Sequence, residues 1–237
     1  MTAISVFSSP EEKEQYVHNL FSRIAGCYDT VNKIMSFNLD TAWRKAAAGK
    51  TGVLPGDAVL DCCCGTGALT SQLLSLVGEK GRVVGIDFCK EMLSRARENC
   101  PGAHYVEGNV LDMPFPDNSF DASVMGFALR NVRDPIKAFE EMTRVVKPGG
   151  KVVILDLSRP SLPVFKHLFS IYVNHIIPFL GARKSGFSDP YRYLAHSIFL
   201  LPPPGEILDS MAQAGLKDTN VQEMTGGAVA LFWGTAT

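Results

Sequence analysis

The chain has 237 residues, 46% of them hydrophobic, which is enough for one large domain with a substantial core. Its 23 basic and 24 acidic residues give a formal net charge of −1, and this excludes the strongly basic surface typical of nucleic-acid-binding proteins. There is no basic start followed by an apolar run and no uninterrupted apolar stretch of about 18 residues, so we expect neither a signal peptide nor a transmembrane helix. Three of the six cysteines are adjacent, unlike a disulfide framework, so we expect a reducing, cytoplasmic compartment.

The first 50 residues predict a helical region. Ser9 suits the N-cap position, and Pro10 suits the first helical turn. Acidic residues follow at once, where they favour the positive end of the helix dipole. We predict helix over residues 9–50, ended by a turn at 51–56.

Short apolar runs then alternate with helical stretches. The predicted strands are residues 59–63, 83–87, 104–109, 120–127 and 151–157. The predicted helices run from the first glycine-rich loop to residue 76, over 90–99, and over 135–146, the last closed by a turn at 147–150. This alternation predicts a parallel sheet covered by helices on both faces.

Residues 158–203 break the alternation. They are apolar and aromatic, but polar residues such as Lys166 and His175 interrupt them too often for a bilayer span. A helix over 204–215 and strands over 218–224 and 228–235 complete the chain. We divide a single domain, 1–237, into a helical cap, a core, an apolar helical insertion and a closing unit, with bounds 1–50, 51–157, 158–203 and 204–237.

A glycine-rich loop follows the first predicted strand in the stretch VLDCCCGTGAL, residues 59–69. Gly65 and Gly67 leave backbone amides bare at a helix N-terminus, where a ligand can lie against the main chain. A dinucleotide-binding loop needs a third glycine where Thr70 stands, which argues against an NAD-dependent oxidoreductase. Asp87 ends the second strand, where a carboxylate accepts hydrogen bonds from ribose hydroxyl groups.

The three adjacent cysteines allow a thiol site or simple packing. A metal site would need a second cysteine pair or histidines at converging positions, and the spacing offers none. We interpret Cys62 and Cys63 as small apolar residues in or beside the first strand. Cys64 begins the loop, where a small side chain leaves room for a ligand.

The D-x-x-C-G-x-G pattern resembles the first motif of class I methyltransferases, which bind S-adenosylmethionine. The segments Phe21–Phe37, Leu111–Val132 and Tyr191–Ile198 resemble the C-methyltransferases of menaquinone and ubiquinone biosynthesis, and the likeness runs from about residue 17 to the C-terminus. It implies a Rossmann-like α/β fold with a mostly parallel seven-stranded sheet, an antiparallel last strand and helices on both faces. The cofactor-binding residues that it implies are Asp61, Cys64, Gly65, Thr66, Gly67, Asp87, Phe88, Asn109, Val110, Gly126 and Tyr28.

The same resemblance implies a reduced prenylated quinone as substrate, in the naphthoquinol case demethylmenaquinol. Benzoquinol methylation and another small-molecule methyltransferase are the alternatives. Methylating a ring carbon needs a phenolate to push electron density onto that carbon, so we assign Arg130 and Asn131 as catalytic residues that stabilise the phenolate. The alternative for Arg130 is a structural ion pair with Asp134.

Four further expectations concern the surroundings of the site and the assembly. Gly126 stands where the family commonly has serine or alanine, so only backbone contacts remain there. Tyr193 and His196 are candidates for the quinone pocket, although a lone histidine is more often structural. The apolar, basic-flanked segment 160–181 predicts weak peripheral contact with the inner face of a membrane, the alternative being a helix that covers the sheet. A homodimer remains open.

Overall fold

The computed structural model describes residues 7, 9–160, 163–186 and 189–237. The strands of the described chain are Ala58–Cys62 (β1), Arg82–Asp87 (β2), His104–Glu107 (β3), Phe120–Gly126 (β4), Val146–Leu157 (β5), Lys217–Met224 (β6) and Val229–Thr235 (β7). They form one sheet in the order β3-β2-β1-β4-β5-β7-β6. Strands β1 to β5 pair in parallel, whereas β7 runs antiparallel to both β5 and β6. The predicted mostly parallel sheet is confirmed.

Helices connect and cover these strands. They are Pro10–Ile24 (α1), Tyr28–Met35 (α2), Leu39–Lys50 (α3), Ala68–Val77 (α4), Lys90–Asn99 (α5), Pro135–Arg144 (α6), Pro163–Ile171 (α7), Ile177–Ser185 (α8), Asp189–Leu200 (α9) and Pro204–Gln213 (α10). A 3₁₀ turn, Leu129–Asn131, follows β4, and a π-helical turn, Tyr172–Ile176, joins α7 to α8. Helices α4, α5 and α6 form the crossover connections from β1 to β2, from β2 to β3 and from β4 to β5.

Successive residues of the central strands pack on opposite faces of the sheet, because side chains alternate along a strand. Leu60 and Ile154 point to the face covered by α6 and α10. Val59 and Val153 point to the face covered by α3 and α4. The strands are buried on both faces, which explains why their sequences read as continuous apolar runs rather than as alternating patterns.

The predicted apolar insertion is helical. Helices α7, α8 and α9 occupy it, and residues 161, 162, 187 and 188 lie outside the described residues. Val173, Ile177 and Ile198 of the insertion pack with Val31 and Met35 of α2, forming a core separate from the sheet. No helix in the described part of the chain is long and apolar enough to cross a membrane.

The helical region predicted over residues 9–50 is confirmed, but it is not continuous. Three helices, α1 to α3, occupy this region, with breaks at residues 25–27 and 36–38. At the second break Phe37 and Asn38 both adopt left-handed backbone conformations, with φ of 52° and 62°. The tertiary packing of α2 against the insertion, together with these left-handed residues, overrides the helical pattern.

The turn predicted at residues 147–150 is wrong. Strand β5 begins at Val146 and includes these residues, and its register against β4 shifts between Val146 and Lys151. A bulge absorbs the extra residues, with Gly149 in a left-handed conformation (φ 86°). A Cβ atom on Gly150 would overlap the carbonyl oxygen of Asp121 on β4. The glycine pair therefore allows close strand approach rather than a chain reversal.

We predict that Gly150→Ala lowers the free energy of unfolding by about 2 kcal/mol or more, because the new methyl group meets backbone atoms that cannot move aside. Gly205→Ala is the matched control. Nothing lies within 4 Å of the methyl group it adds in α10, and alanine favours the helix, so this variant should lose no stability. Urea denaturation of both variants makes the comparison, and equal effects would contradict the steric explanation.

Candidate active site

A cleft opens at the carboxyl edge of the sheet, where β1 lies between β2 and β4. The chain leaves β1 towards β2 on one side, and β4 lies on the other, so the loops at this edge diverge and leave a space between them. Most of its lining residues come from the last residues of the strands or from the segments that follow them, among them Cys63, Gly65, Asp87, Phe88, Gly108, Asn109, Val110, Gly126, Phe127 and Asn131. Others come from the N-terminal helices, including Glu14, Phe21 and Tyr28.

The glycine-rich loop is tied to the second strand by the carboxylate of Asp87. One carboxylate oxygen accepts the backbone N–H of Gly65 at 2.8 Å, and the other accepts that of Cys89 at 2.9 Å. Burial raises the pKa of Asp87, and these backbone donors offset part of that rise. Asp87 thus lines the cleft as predicted and also holds the loop in place.

At the start of α4, steric limits require glycine at position 67. Its φ is 83°, and a Cβ atom there would lie 3.1 Å from the hydroxyl of Tyr105 and 3.4 Å from Ala96. Thr66 and Gly67 face away from the cleft, towards a polar cavity of about 290 Å³ beside it. The hydroxyl of Thr66 donates to Asp29 at 2.6 Å, which fastens the loop to α2.

The predicted residue Asp61 does not line the cleft. Its side chain is fully buried behind the loop and accepts a 2.6 Å hydrogen bond from the hydroxyl of Thr70. Desolvation raises the pKa of Asp61 to about 7, although Thr70 and the nearby Arg44 oppose the rise. The structure therefore gives Asp61 a place under the loop, where it positions the first turn of α4.

The cysteines pack as small apolar residues with one difference from the prediction. Cys62 and Cys64 are buried, whereas Cys63 is partly exposed and lines the cleft with a left-handed φ of 55°. Cys64 instead packs against Gly85 on β2. Burial raises the pKa of all three thiols well above its ordinary value, so they stay protonated.

Asn109 lies two residues beyond the end of β3, which is shorter than predicted. Its amide oxygen accepts the backbone N–H of Leu111, and its amide nitrogen donates to Glu14 of α1 at 3.0 Å. Glu14 also pairs with Arg133 at 3.1 Å. Polar contacts therefore hold helix α1 over the cleft. No sequence motif indicated that residues of α1 would line it.

A second and larger cavity, of about 510 Å³, adjoins the cleft and shares Tyr28 and Phe127 with it. Its walls are almost entirely apolar and come from α2, α3 and the insertion. They include Met35, Trp43, Phe165, Phe169, Tyr172, Ile176 and Ile177. The predicted pocket residue His196 is exposed and lies outside this lining, whereas Arg130 is one of its few charged members.

Arg130 and Asn131 lie where the two spaces meet. The guanidinium of Arg130 forms a buried ion pair with Asp156 at 2.6 Å and donates to the carbonyl oxygen of Phe127. The predicted alternative partner, Asp134, instead caps α6 through the backbone N–H of Lys137. Arg130 is thus in an ion pair, but its partner lies near the end of β5 and was not predicted from the sequence.

Three buried polar atoms near this point make no hydrogen bond to any described residue: Arg130 Nε, Asn131 Oδ1 and the hydroxyl oxygen of Tyr193. All three side chains line one small cavity of about 40 Å³. Burial raises the pKa of Tyr193 to about 12, so the phenol remains a hydrogen-bond donor. Buried polar groups are normally satisfied, so this cluster has the features of a binding site for polar ligand atoms.

Comparison with known proteins agrees with this geometry. The family model described as the ubiE/COQ5 methyltransferase family matches residues 10–236. The chain belongs to this family. A demethylmenaquinone methyltransferase from Desulfitobacterium hafniense (strain Y51) is 40% identical over 232 residues, covering 95% of this chain and 92% of the relative. One from Staphylococcus aureus (strain JH9) is 40% identical over 225 residues, covering 94% and 93%.

Solved structures show the same fold at low sequence identity. A SAM-dependent methyltransferase from Aquifex aeolicus aligns with a TM-score of 0.63 and 21% identity, covering 88% of this chain and 98% of that one. Phosphoethanolamine N-methyltransferase 2 from Haemonchus contortus, in complex with S-adenosyl-L-methionine, aligns with a TM-score of 0.56 and 17% identity, covering 81% and 51%. The predicted methyltransferase fold and family are confirmed, and methyl transfer is favoured over the oxidoreductase alternative.

We predict an unusual pH dependence of stability from Asp61. Its pKa is about 7 in the folded protein and about 3.9 when unfolded. Between these values the folded state holds a proton that the unfolded state does not, so Asp61 makes the free energy of unfolding fall as the pH rises, by up to about 1.4 kcal/mol per pH unit. Asp61→Asn removes this effect.

The stability of Asp61→Asn relative to the natural protein should therefore rise by about 2 kcal/mol or more between pH 4.5 and pH 7, measured by urea denaturation at each pH. Asp209→Asn, an exposed change on α10, is the control and should show a flat difference. A flat difference for Asp61→Asn as well would contradict a protonated Asp61.

Proposed function

We propose that this protein transfers a methyl group from S-adenosylmethionine to a ring carbon of a reduced prenylated quinone, with demethylmenaquinol as its substrate. The observation that carries the proposal is the apolar cavity of about 510 Å³ that adjoins the cofactor cleft. A prenyl chain needs such walls, and the ring of the same substrate needs the polar groups at the junction. The curated relatives named demethylmenaquinone methyltransferase favour the naphthoquinol ring.

The cleft fits S-adenosylmethionine. Asp87 lines it as an acceptor for ribose hydroxyl groups, and Asn109 offers an amide for the adenine. Gly65 and Gly126 leave the main chain bare where they line the cleft. When bound, the cofactor supplies an electrophilic methyl group on its sulfonium.

Arg130 and Asn131 provide the electrostatic part of the mechanism. A quinol ring carbon becomes nucleophilic when an adjacent hydroxyl loses its proton, and the phenolate then needs a cation and hydrogen bonds. The ion pair with Asp156 fixes the guanidinium of Arg130 and leaves its Nε–H without a partner among the described residues. That N–H donates to the phenolate oxygen, and Asn131 Oδ1 accepts from a hydroxyl group or a water molecule beside it. The surrounding apolar walls exclude bulk water and so strengthen these contacts.

Several apolar side chains surround the mouth of the second cavity and face solvent. Phe37 is 72% exposed, Leu168 58% and Phe179 66%, and Leu39, Ile171 and Ile176 are also exposed. All except Phe179 line the cavity itself. Lys166 and Arg183 lie on α7 and α8 beside these residues, and Lys33 lies on α2, four residues before Phe37. We propose that this rim rests on an anionic membrane, from which the prenyl chain enters the cavity.

We predict that Arg130→Gln lowers kcat with a naphthoquinol by about 100-fold, because a phenolate-stabilising donor is lost. The affinity for S-adenosylhomocysteine should stay within about twofold, since Arg130 does not line the cofactor cleft. Labelled methyl transfer and calorimetry measure the two quantities. Arg82→Gln, at the opposite edge of the sheet, is the control.

Arg130→Gln leaves the Asp156 carboxylate buried without its partner. The double variant Arg130→Gln with Asp156→Asn removes this unpaired charge as well, and so tests the loss of the guanidinium alone. An unchanged kcat in both folded variants would contradict the catalytic role. The same assay compares a naphthoquinol with a benzoquinol under reducing conditions. Label in the naphthoquinol alone agrees with the proposed substrate, and label in neither would refute quinol methylation.

We predict that Phe37→Ser combined with Phe179→Ser reduces binding to vesicles of anionic phospholipid, measured by flotation, because the apolar rim is lost. Leu54→Ser is a matched control, since Leu54 is 67% exposed but precedes β1 at the opposite edge of the sheet. Equal vesicle binding by all forms, or none by the natural protein, would contradict the membrane contact.

A further inference from the structure

The guanidinium of Arg44 is buried without a hydrogen-bonded anion. The residue is 7% exposed, its Nε makes no hydrogen bond in the described part of the chain, and its ion pair with Asp40 is long, at 3.9 Å. The other acidic side chain that interacts with it, Asp61, is fully buried with a pKa raised to about 7. The guanidinium also lies over the ring of Phe127, 4.9 Å from its centre. A buried cation without a hydrogen-bonded anion is costly, so its retention calls for a ligand.

Arg44 lies within reach of the cofactor cleft. Its Nη1 is 3.5 Å from the point at which a side chain on Gly126 would begin, and Gly126 forms part of the cleft wall. Phe127, beneath the guanidinium, lines the same cleft. Because Gly126 has no side chain, the guanidinium of Arg44 comes close to the main chain of the cleft wall, beside the side chain of Leu69.

A second positive feature meets Arg44 in the neighbouring polar cavity. Arg44 lines this cavity together with Thr66, Gly67 and Ala68, the residues that begin α4. The first turn of α4 holds no acidic residue of its own, although the buried Asp61 accepts the backbone N–H of Thr70 from beneath, so the helix dipole favours an anion at this end. The helix terminus and the buried guanidinium thus attract negative charge to the same place.

We propose that Arg44 binds the carboxylate at the methionine end of S-adenosylmethionine. This inference rests on the proposed cofactor but not on the quinol. Asp87 and Asn109 place the ribose and adenine beside β2 and β3, so the methionine end extends past Gly65 towards β4 and Arg44. A carboxylate keeps its charge throughout the reaction and needs a permanent cation. Arg44 also lines the second cavity, but the quinol phenolate, the other anion of the reaction, already has Arg130 there.

The test compares two ligands that differ only in this carboxylate: S-adenosylhomocysteine and its decarboxylated analogue, 5′-(3-aminopropyl)thioadenosine. We expect Arg44→Met to weaken S-adenosylhomocysteine binding by about 10- to 100-fold, the range for a charge-assisted contact. Binding of the decarboxylated analogue should change by less than about threefold, so the preference for the carboxylate disappears. Isothermal calorimetry measures both, and Arg44→Lys should restore part of the preference.

Lys45→Met is the matched control, since Lys45 is the exposed neighbour on the same helix and should leave both affinities unchanged. Equal weakening of both ligands by Arg44→Met would mean a structural role and would overturn the inference. Unchanged affinities with a raised KM for the quinol would overturn it in favour of phenolate binding. Failure of the natural protein to bind either ligand would refute the cofactor itself, whereas a quinol that is not methylated leaves this measurement unaffected.

Discussion

The site depends on how the chain is held as it leaves the central strand. At the end of β1 the backbone must turn sharply, and the Asp87 carboxylate stabilises that turn by accepting N–H groups from Gly65 and from Cys89. Asp61 acts from beneath by fixing Thr70 in the first turn of α4. Two acidic side chains on neighbouring strands thus keep the loop open for a ligand. Both have raised pKa values because the same burial that orders the loop removes water from them.

The N-terminal helices and the insertion convert this open edge into two joined spaces. Helix α1 covers the cleft through Glu14, which contacts both Asn109 and Arg133. Helices α2 and α3 contribute Tyr28 and Arg44, one at the junction and one behind it. The insertion supplies the apolar walls of the second cavity. A polar ligand in the cleft and an apolar ligand in the second cavity can therefore meet at Phe127, while each keeps walls of its own polarity.

Charge is distributed unevenly between these spaces. Arg130 has a hydrogen-bonded ion pair with the fully buried Asp156, whereas Arg44 has only a long ion pair with Asp40 and the nearby Asp61, whose raised pKa weakens it as a counter-ion. A closely paired guanidinium stabilises a transient phenolate without requiring a permanent anion, and a loosely paired one can still take a lasting counter-charge. The two arginines therefore suit two different oxygen groups, the phenolate of the quinol and the carboxylate of the cofactor.

The sequence by itself determined the alternating strands, the glycine-rich loop and the position of Asp87, because apolar runs, glycine and a strand-ending acid are local signals. It did not determine the breaks within residues 9–50 or the bulge at Gly149 and Gly150, since both arise from packing against distant strands and helices. Only the tertiary structure paired Arg130 with Asp156, brought Glu14 to Asn109 and left Arg44 buried beside Gly126. Such contacts join residues far apart in the chain, and no local pattern encodes which of them will meet.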